Sequence, residues 1–261
     1  MKELGAIVIR IDGEYEASVA RAKKDARMNG WYFVSSTSWS DFDNDVPQHV
    51  MNAYMVVLDK ALSIIPTVDK ITHVFVCGCV GSIAAAIFQG FYNHFHEIQQ
   101  SSATGSTISL PRFVVVEPSE ADCLLQSAKH GEARQSGGSL RTLMAGLACR
   151  APSPVALKVL TWLASDYVAV PDSIAVDGMK ALADGAEGDT PVVCGESSAA
   201  SMGVILGSSA DPSLREKLGL NSPSQVVLFG LEGASDPQIY ESLVGKAPQA
   251  VLEAQDRFDA L

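Results

Sequence analysis

The sequence predicts an α/β fold in which a mostly parallel β-sheet is covered by helices on both sides. Three observations carry this. Short apolar runs of strand length, such as HVFVC at 73–77, recur along the chain. Glycine or proline turns follow them and open into stretches with helical spacing. The alternation continues through 261 residues without an internal repeat or a low-complexity tract, and that length suffices to bury a full core.

Taken in order, Leu4 to Ile11 reads as a strand, Tyr15 to Met28 as an amphipathic helix ended by Asn29-Gly30, and Trp31 to Ser35 as a second strand. This β-α-β unit is too small to be a domain by itself. The polar, acidic stretch Ser36 to Asp45 reads as a linker. Pro47 then opens a long helix, Gln48 to Ile65, with Met51, Tyr54, Met55 and Leu58 on one face.

The strand at His73 to Cys77 ends in a turn containing Gly78 and Gly81, and Ser82 to Phe88 continues as helix. SSATGSTISLP at 101–111 is a loop, Phe113 to Val116 a strand ending in Glu117-Pro118, and SGGSL at 136–140 a second loop. Val155 to Leu163 is helical, Tyr167 to Val170 a strand, and Pro171-Asp172 starts a helix to about Ala183. Pro191 to Cys194 reads as a short strand and GESSAAS at 195–201 as a helix start with an acid in its first turn. Val226 to Phe229 is the last strong strand, and Pro237 to Val244 the last clear helix.

Composition narrows the function classes. A net charge of −11 argues against nucleic acid and against an anionic membrane surface as partners. No run approaches the roughly 18 to 20 apolar residues of a membrane span, and the N-terminus does not resemble a signal peptide. The cysteines Cys77, Cys79, Cys123, Cys149 and Cys194 are odd in number and set in apolar contexts, which reads as free thiols of a cytoplasmic protein.

In an open parallel sheet, ligands sit beyond the carboxyl ends of the strands. Four stretches occupy such places: CGCVGS at 77–82, EPSEAD at 117–122, GESS at 195–198 and GLEGASD at 230–236. The first is either a plain strand-to-helix turn or a phosphate cradle made of backbone N–H groups. His94 and His96 read as a solvated helix end and Ser197 and Ser198 as helix caps, and no set of residues has metal-ligand spacing.

The same turns, with EPSEADCLLQSAKHGE (117–132), TLMAGLACRAPSPVALKVL (142–160), DSIAVDGMKAL (172–182), CGESSAASMGVILG (194–207) and LEGASDPQIY (231–240), resemble the diaminopropionate ammonia-lyase family. The resemblance runs from about Leu4 to Val244. It implies the three-layer fold of the fold type II pyridoxal-phosphate enzymes. It also implies that Cys79, Val80, Gly81, Ser82 and Ile83 wrap the cofactor phosphate, and that the parent reaction converts 2,3-diaminopropionate to pyruvate and ammonia.

Against that family several parts are missing or changed. The family's Schiff-base lysine, in a Phe-Lys motif, and its Asp-Gly-Asn-His loop belong to a stretch preceding the matched region, and none of the ten lysines here matches such a motif. No catalytic residue is therefore assigned. Cys79 stands where the family favours glycine, Gly230 and Leu231 where it carries serine or threonine against the pyridine nitrogen, and Ser36-Thr37-Ser38-Trp39 where it reads Asp-Thr-Ala-Trp. The expectation is thus a remnant of the smaller domain at 1–38 and a larger cofactor-binding domain at 39–261. The expected function is a lyase-like protein, catalytically incomplete in this chain. The alternatives are a non-catalytic binding or subunit-association module and a piece of a longer active enzyme. An amino acid is the expected small-molecule partner and a homodimer a candidate assembly.

Overall fold

Runs too apolar to face water form the centre of the computed structural model, which describes residues 2–37, 46–101, 109–186 and 188–259. Four strands, β1 (His73–Cys77), β2 (Arg112–Pro118), β3 (Asp166–Val170) and β4 (Val226–Leu228), make one sheet in the order β3-β2-β1-β4. Every pairing is parallel, with Val74 opposite both Phe113 and Val227, and Val116 opposite Val168. β1 is central and buried along its whole length. Parallel strands need crossovers, and the crossovers here are helices that cover both faces.

The pleat sorts side chains by parity. Val74, Val76, Phe113 and Val115 face one core with α2 (Val46–Ala53), α3 (Met55–Ile64), α4 (Ser82–Ser101) and α6 (Pro154–Leu163). Within it Phe88 stacks on Phe113 at 4.7 Å between ring centroids. Phe75, Cys77, Val114 and Val116 face a second core with α7 (Asp172–Asp184), α8 (Glu196–Ala210) and α9 (Pro212–Leu218). α7 and α8 touch through backbone: a Cβ at Gly178 would sit 2.1 Å from the Ala199 carbonyl oxygen, and one at Gly203 2.0 Å from that of Ile174. The remaining α-helices among the described residues are α1 (Tyr15–Asn29), α5 (Cys123–His130), α10 (Pro237–Val244) and α11 (Pro248–Asp259).

The expected strands β1 to β4 and the expected helices at 15–28, 155–163, 172–183, 195 onward and 237–244 are present. Leu4 to Ile11 and Trp31 to Ser35 are corrections, because neither joins a ladder. A strand holds its shape through its neighbours, and these segments meet α1 without a pairing strand beside them, which leaves Ile7 90% and Tyr32 89% exposed. Pro191 to Cys194 likewise forms no strand, although Val192 N–H bonds the Leu182 carbonyl at 2.7 Å. The helix expected over 48–65 is two helices broken at Tyr54. Met51 and Leu58 still point into the core. Residues 38–45 of the linker and 102–108 of the loop lie outside the described residues.

Candidate functional site

Because all four strands run the same way, Cys77, Pro118, Val170 and Leu228 end along one edge of the sheet. The turn after β1 is held by Gly78 N–H to Val116 O at 2.8 Å, Gly81 N–H to Gly78 O at 2.9 Å and Ser153 N–H to Val80 O at 2.9 Å. It leads straight into α4. Gly81 has φ +96, and a Cβ there would point at Leu160 Cδ1, 2.8 Å away, so this glycine serves the turn and the α4–α6 packing.

Cys79 occupies the left-handed region at φ +55, where a side chain is strained. Its thiol lies against Cys149, with the two Sγ atoms 2.8 Å apart, and this contact supplies the side chain with a partner across the turn.

A cavity of about 460 Å³ opens over this turn. Cys79, Val80, Ser82 and Ile83 form one side, and Gly146, Leu147, Ser197, Ser198, Leu231 and Glu232 the other. Its size is that of a small-molecule site. Ser36 and Tyr54 close a third side, where Tyr54 OH donates to Ser36 O at 2.8 Å. The Ser82 hydroxyl donates to Thr37 Oγ1.

The electrostatics of the edge follow from which helix ends are already taken. A helix N-terminus carries partial positive charge and N–H groups without helical acceptors. At α5 those groups are met by Glu117, whose two oxygens accept from Leu124 N–H at 3.0 Å and Leu125 N–H at 2.8 Å. At α8 the Glu232 carboxylate accepts from Ser197 N–H at 2.8 Å. At α10 Asp236 accepts from Gln238 and Ile239 N–H, both at 3.1 Å, and α7 carries Asp172 in its first turn. α4 has no acid in its first turn. An anion entering the cavity therefore meets a carboxylate at the α8 end and an acid-free first turn at the α4 end.

Burial pushes Glu117 up to about 8, outweighing the two N–H groups that favour its ionised form. Burial likewise pushes the Cys77 and Cys194 thiols up to about 12, so neither is a nucleophile at neutral pH. The hydrogen bond from Cys149 holds the Cys79 thiol below the usual thiol range.

The cap reading of Ser197 and Ser198 is corrected, because Glu232 does the capping. Ser198 Oγ accepts Leu231 N–H at 3.0 Å, and Ser197 Oγ is buried without a partner. His94 and His96 lie within α4, where His96 Nε2 meets Gln100 Nε2 at 2.8 Å, and no group of three or more metal-ligating side chains occurs among the described residues. The roles of Glu117 and Glu232 were missed from the sequence, although Glu117 lies at the end of β2 and Glu232 just beyond β4, both in stretches already singled out.

These features fit one end of a phosphate-bearing cofactor better than the other. The acid-free helix end suits a phosphate, and the orphaned Ser197 hydroxyl suits a polar ligand group. No lysine lines the cavity among the described residues, and the Leu231 N–H is spent on Ser198.

A family profile described as "Pyridoxal-phosphate dependent enzyme" matches residues 1–229. Diaminopropionate ammonia-lyase of Escherichia coli (strain K12) is 30% identical over 252 residues, 95% of this chain and 60% of that protein. The Salmonella typhimurium enzyme of the same name is 29% identical over 248 residues, 92% of this chain and 58% of that one. The crystal structure of holo diaminopropionate ammonia lyase from Escherichia coli superposes with a TM-score of 0.80 at 28% identity, over 93% of this chain and 59% of that one. Threonine deaminase isoform 2 from Solanum lycopersicum, at 15% identity and a TM-score of 0.64 over 94% of this chain and 58% of that one, shares the fold alone. The chain thus spans about 60% of the length of the curated relatives it matches.

Proposed function

Because the chain belongs to the pyridoxal-phosphate dependent enzyme family, we propose that its cavity anchors pyridoxal phosphate through the turn Cys79, Val80, Gly81, Ser82 and Ile83. The observation that carries this is the α4 N-terminus, the end facing the cavity that no carboxylate occupies. Backbone N–H groups at a positive helix end stabilise a dianion without any basic side chain, which reconciles a phosphate site with the chain's net charge of −11. Ser197 Oγ offers the bound molecule a hydrogen-bond partner, while Tyr54 and Leu147 narrow the cavity against water.

When bound, pyridoxal phosphate supplies an electron sink for a carbanion. Similarity to diaminopropionate ammonia-lyase makes 2,3-diaminopropionate the proposed substrate class of the whole protein, with pyruvate and ammonia as products. These residues on their own hold the cofactor non-covalently and lack a lysine to move the substrate proton, so the reading is a lyase-related chain that is catalytically incomplete. The second reading is a binding or subunit-association module, and the third is a piece of a longer active enzyme. Residues 1–38 as part of a smaller domain, 39–261 as the larger one, a homodimer and a cytoplasmic location complete the proposal. No helix among the described residues is long and apolar enough to cross a membrane.

The test compares Ile83→Asp with Ile83→Asn, which differ in charge at the first turn of α4. Titrated with pyridoxal phosphate and with inorganic phosphate, the Asp variant should bind at least about tenfold more weakly than the Asn variant, the equivalent of about 1.4 kcal/mol. Equal affinities would remove the turn from the site. Incubation with 2,3-diaminopropionate and cofactor should yield pyruvate only at the cofactor-alone rate, and pyruvate well above it would overturn the incomplete-chain reading.

A further inference from the structure

Three thiols converge where the β1 turn meets the loop before α6. Cys79 Sγ and Cys149 Sγ are 2.8 Å apart, while Cys123 Sγ donates to the Cys79 carbonyl at 3.5 Å and so engages backbone. Cys79 is half-buried and lines the cavity, whereas Cys149 is buried behind it. One residue of the pair thus borders the cavity, and the sulfur of the second waits in contact with its own. All five cysteines are free thiols.

We propose that Cys79 and Cys149 form a dithiol modification site that low-molecular-weight disulfides oxidise to an intrachain disulfide. The step balances as two thiol–disulfide exchanges. The Cys79 thiolate, its proton released to solvent, attacks one sulfur of R–S–S–R; the S–S bond breaks, and the departing thiolate takes up a proton as RSH. Cys149 then loses its proton and attacks Cys79 Sγ, expelling the second thiolate, which is also protonated. Two protein thiols are oxidised and one small disulfide is reduced to two RSH.

Geometry selects this pair. An S–S bond is about 2.05 Å long, so closure brings the sulfurs together by under about 1 Å. The shared hydrogen bond holds the Cys79 thiol below the usual thiol range and pushes the Cys149 thiol above it, so Cys79 is the sulfur that attacks first and Cys149 the one that resolves once that bond is gone. Closure would tie the first residue of the turn, already at φ +55, to the loop carrying Cys149. This inference is independent of whether the cavity takes pyridoxal phosphate.

The experiment titrates the full chain with oxidised glutathione, counts thiols after denaturation and maps linked peptides by mass spectrometry. The wild type should lose two of its five thiols together, yield a 79–149 linked peptide without accumulating a glutathione adduct, and regain both thiols on reduction. Cys149→Ser should instead accumulate one glutathione on Cys79, because the resolving thiol is gone. Cys123→Ser should close as the wild type does, and Cys79→Ser should not close. Retention of all five thiols, a 123–149 linked peptide, or a lasting adduct on wild-type Cys79 would each overturn the proposal.

Discussion

Gly178 and Gly207 form a matched pair for testing how α7 packs on α8. In Gly178→Ala the new methyl would sit 2.1 Å from the Ala199 carbonyl oxygen and 2.8 Å from the Gly203 nitrogen, so the helix backbones must part by about 1 Å to reach ordinary contact. Both obstacles are backbone and cannot rotate aside. Overpacking of this kind costs about 3 kcal/mol, against about 1 kcal/mol gained from the helix propensity of alanine, a net loss of about 2 kcal/mol. At about 2 to 4 °C per kcal/mol for a chain of this size, Tm should fall by about 4 to 8 °C. Gly207 lies in α8 with nothing within 4 Å of its would-be Cβ, so Gly207→Ala keeps the propensity gain and should raise Tm by about 1 to 4 °C. Calorimetry and urea midpoints measure both. If Gly178→Ala is as stabilising as Gly207→Ala, the backbone-to-backbone contact between these helices is wrong.

Glu117→Gln should change the pH dependence of stability. The folded value of about 8 lies above the ordinary one of 4.5, so the unfolded chain releases this proton first. Its contribution is fully present below about pH 4.5 and lost as pH rises towards 8. Over that window the wild type should lose up to about 1.4 kcal/mol per pH unit that the Gln variant does not, measured as urea midpoints from pH 5 to 8. Gly81→Ala should destabilise by about 2 to 4 kcal/mol, since it adds a side chain at φ +96 and a contact of 2.8 Å with Leu160; a loss of stability under about 0.5 kcal/mol by urea titration would contradict the turn geometry. Asp211→Ala and Asp236→Ala, each removing a carboxylate that accepts two N–H groups, should cost about 1 kcal/mol apiece and add in the double variant.

Much of the sheet was legible because β1 and β2 are apolar runs flanked by turn residues, a pattern that reports burial directly. The N-terminal segments have the same composition and form no strand, because a ladder depends on neighbours and not on the run itself. α5, α9 and α11 went unread; α9 carries its signal in Asp211-Pro212, an N-cap followed by proline, with Gly219 at the far end. At the site, the glycine turn was legible and the acids were not. That Glu117 and Glu232 point back onto helix ends depends on which helices the fold sets beside each strand, and spacing along the chain does not record that.

The N-terminal helix is held in a different way from the rest of the chain. α1 buries only Ala26 among its described side chains, while Glu16 Oε1 accepts the N–H groups of Arg150 at 3.1 Å and Ala151 at 3.2 Å, and Glu14 pairs with the Arg150 guanidinium at 2.5 Å. A segment moored by charge, with little oil beneath it, answers to ionic strength where the sheet does not. Raising salt should therefore expose α1 to proteases while the sheet stays intact. Since the mooring point adjoins Cys149, release of α1 would also be felt at the loop that packs against the β1 turn.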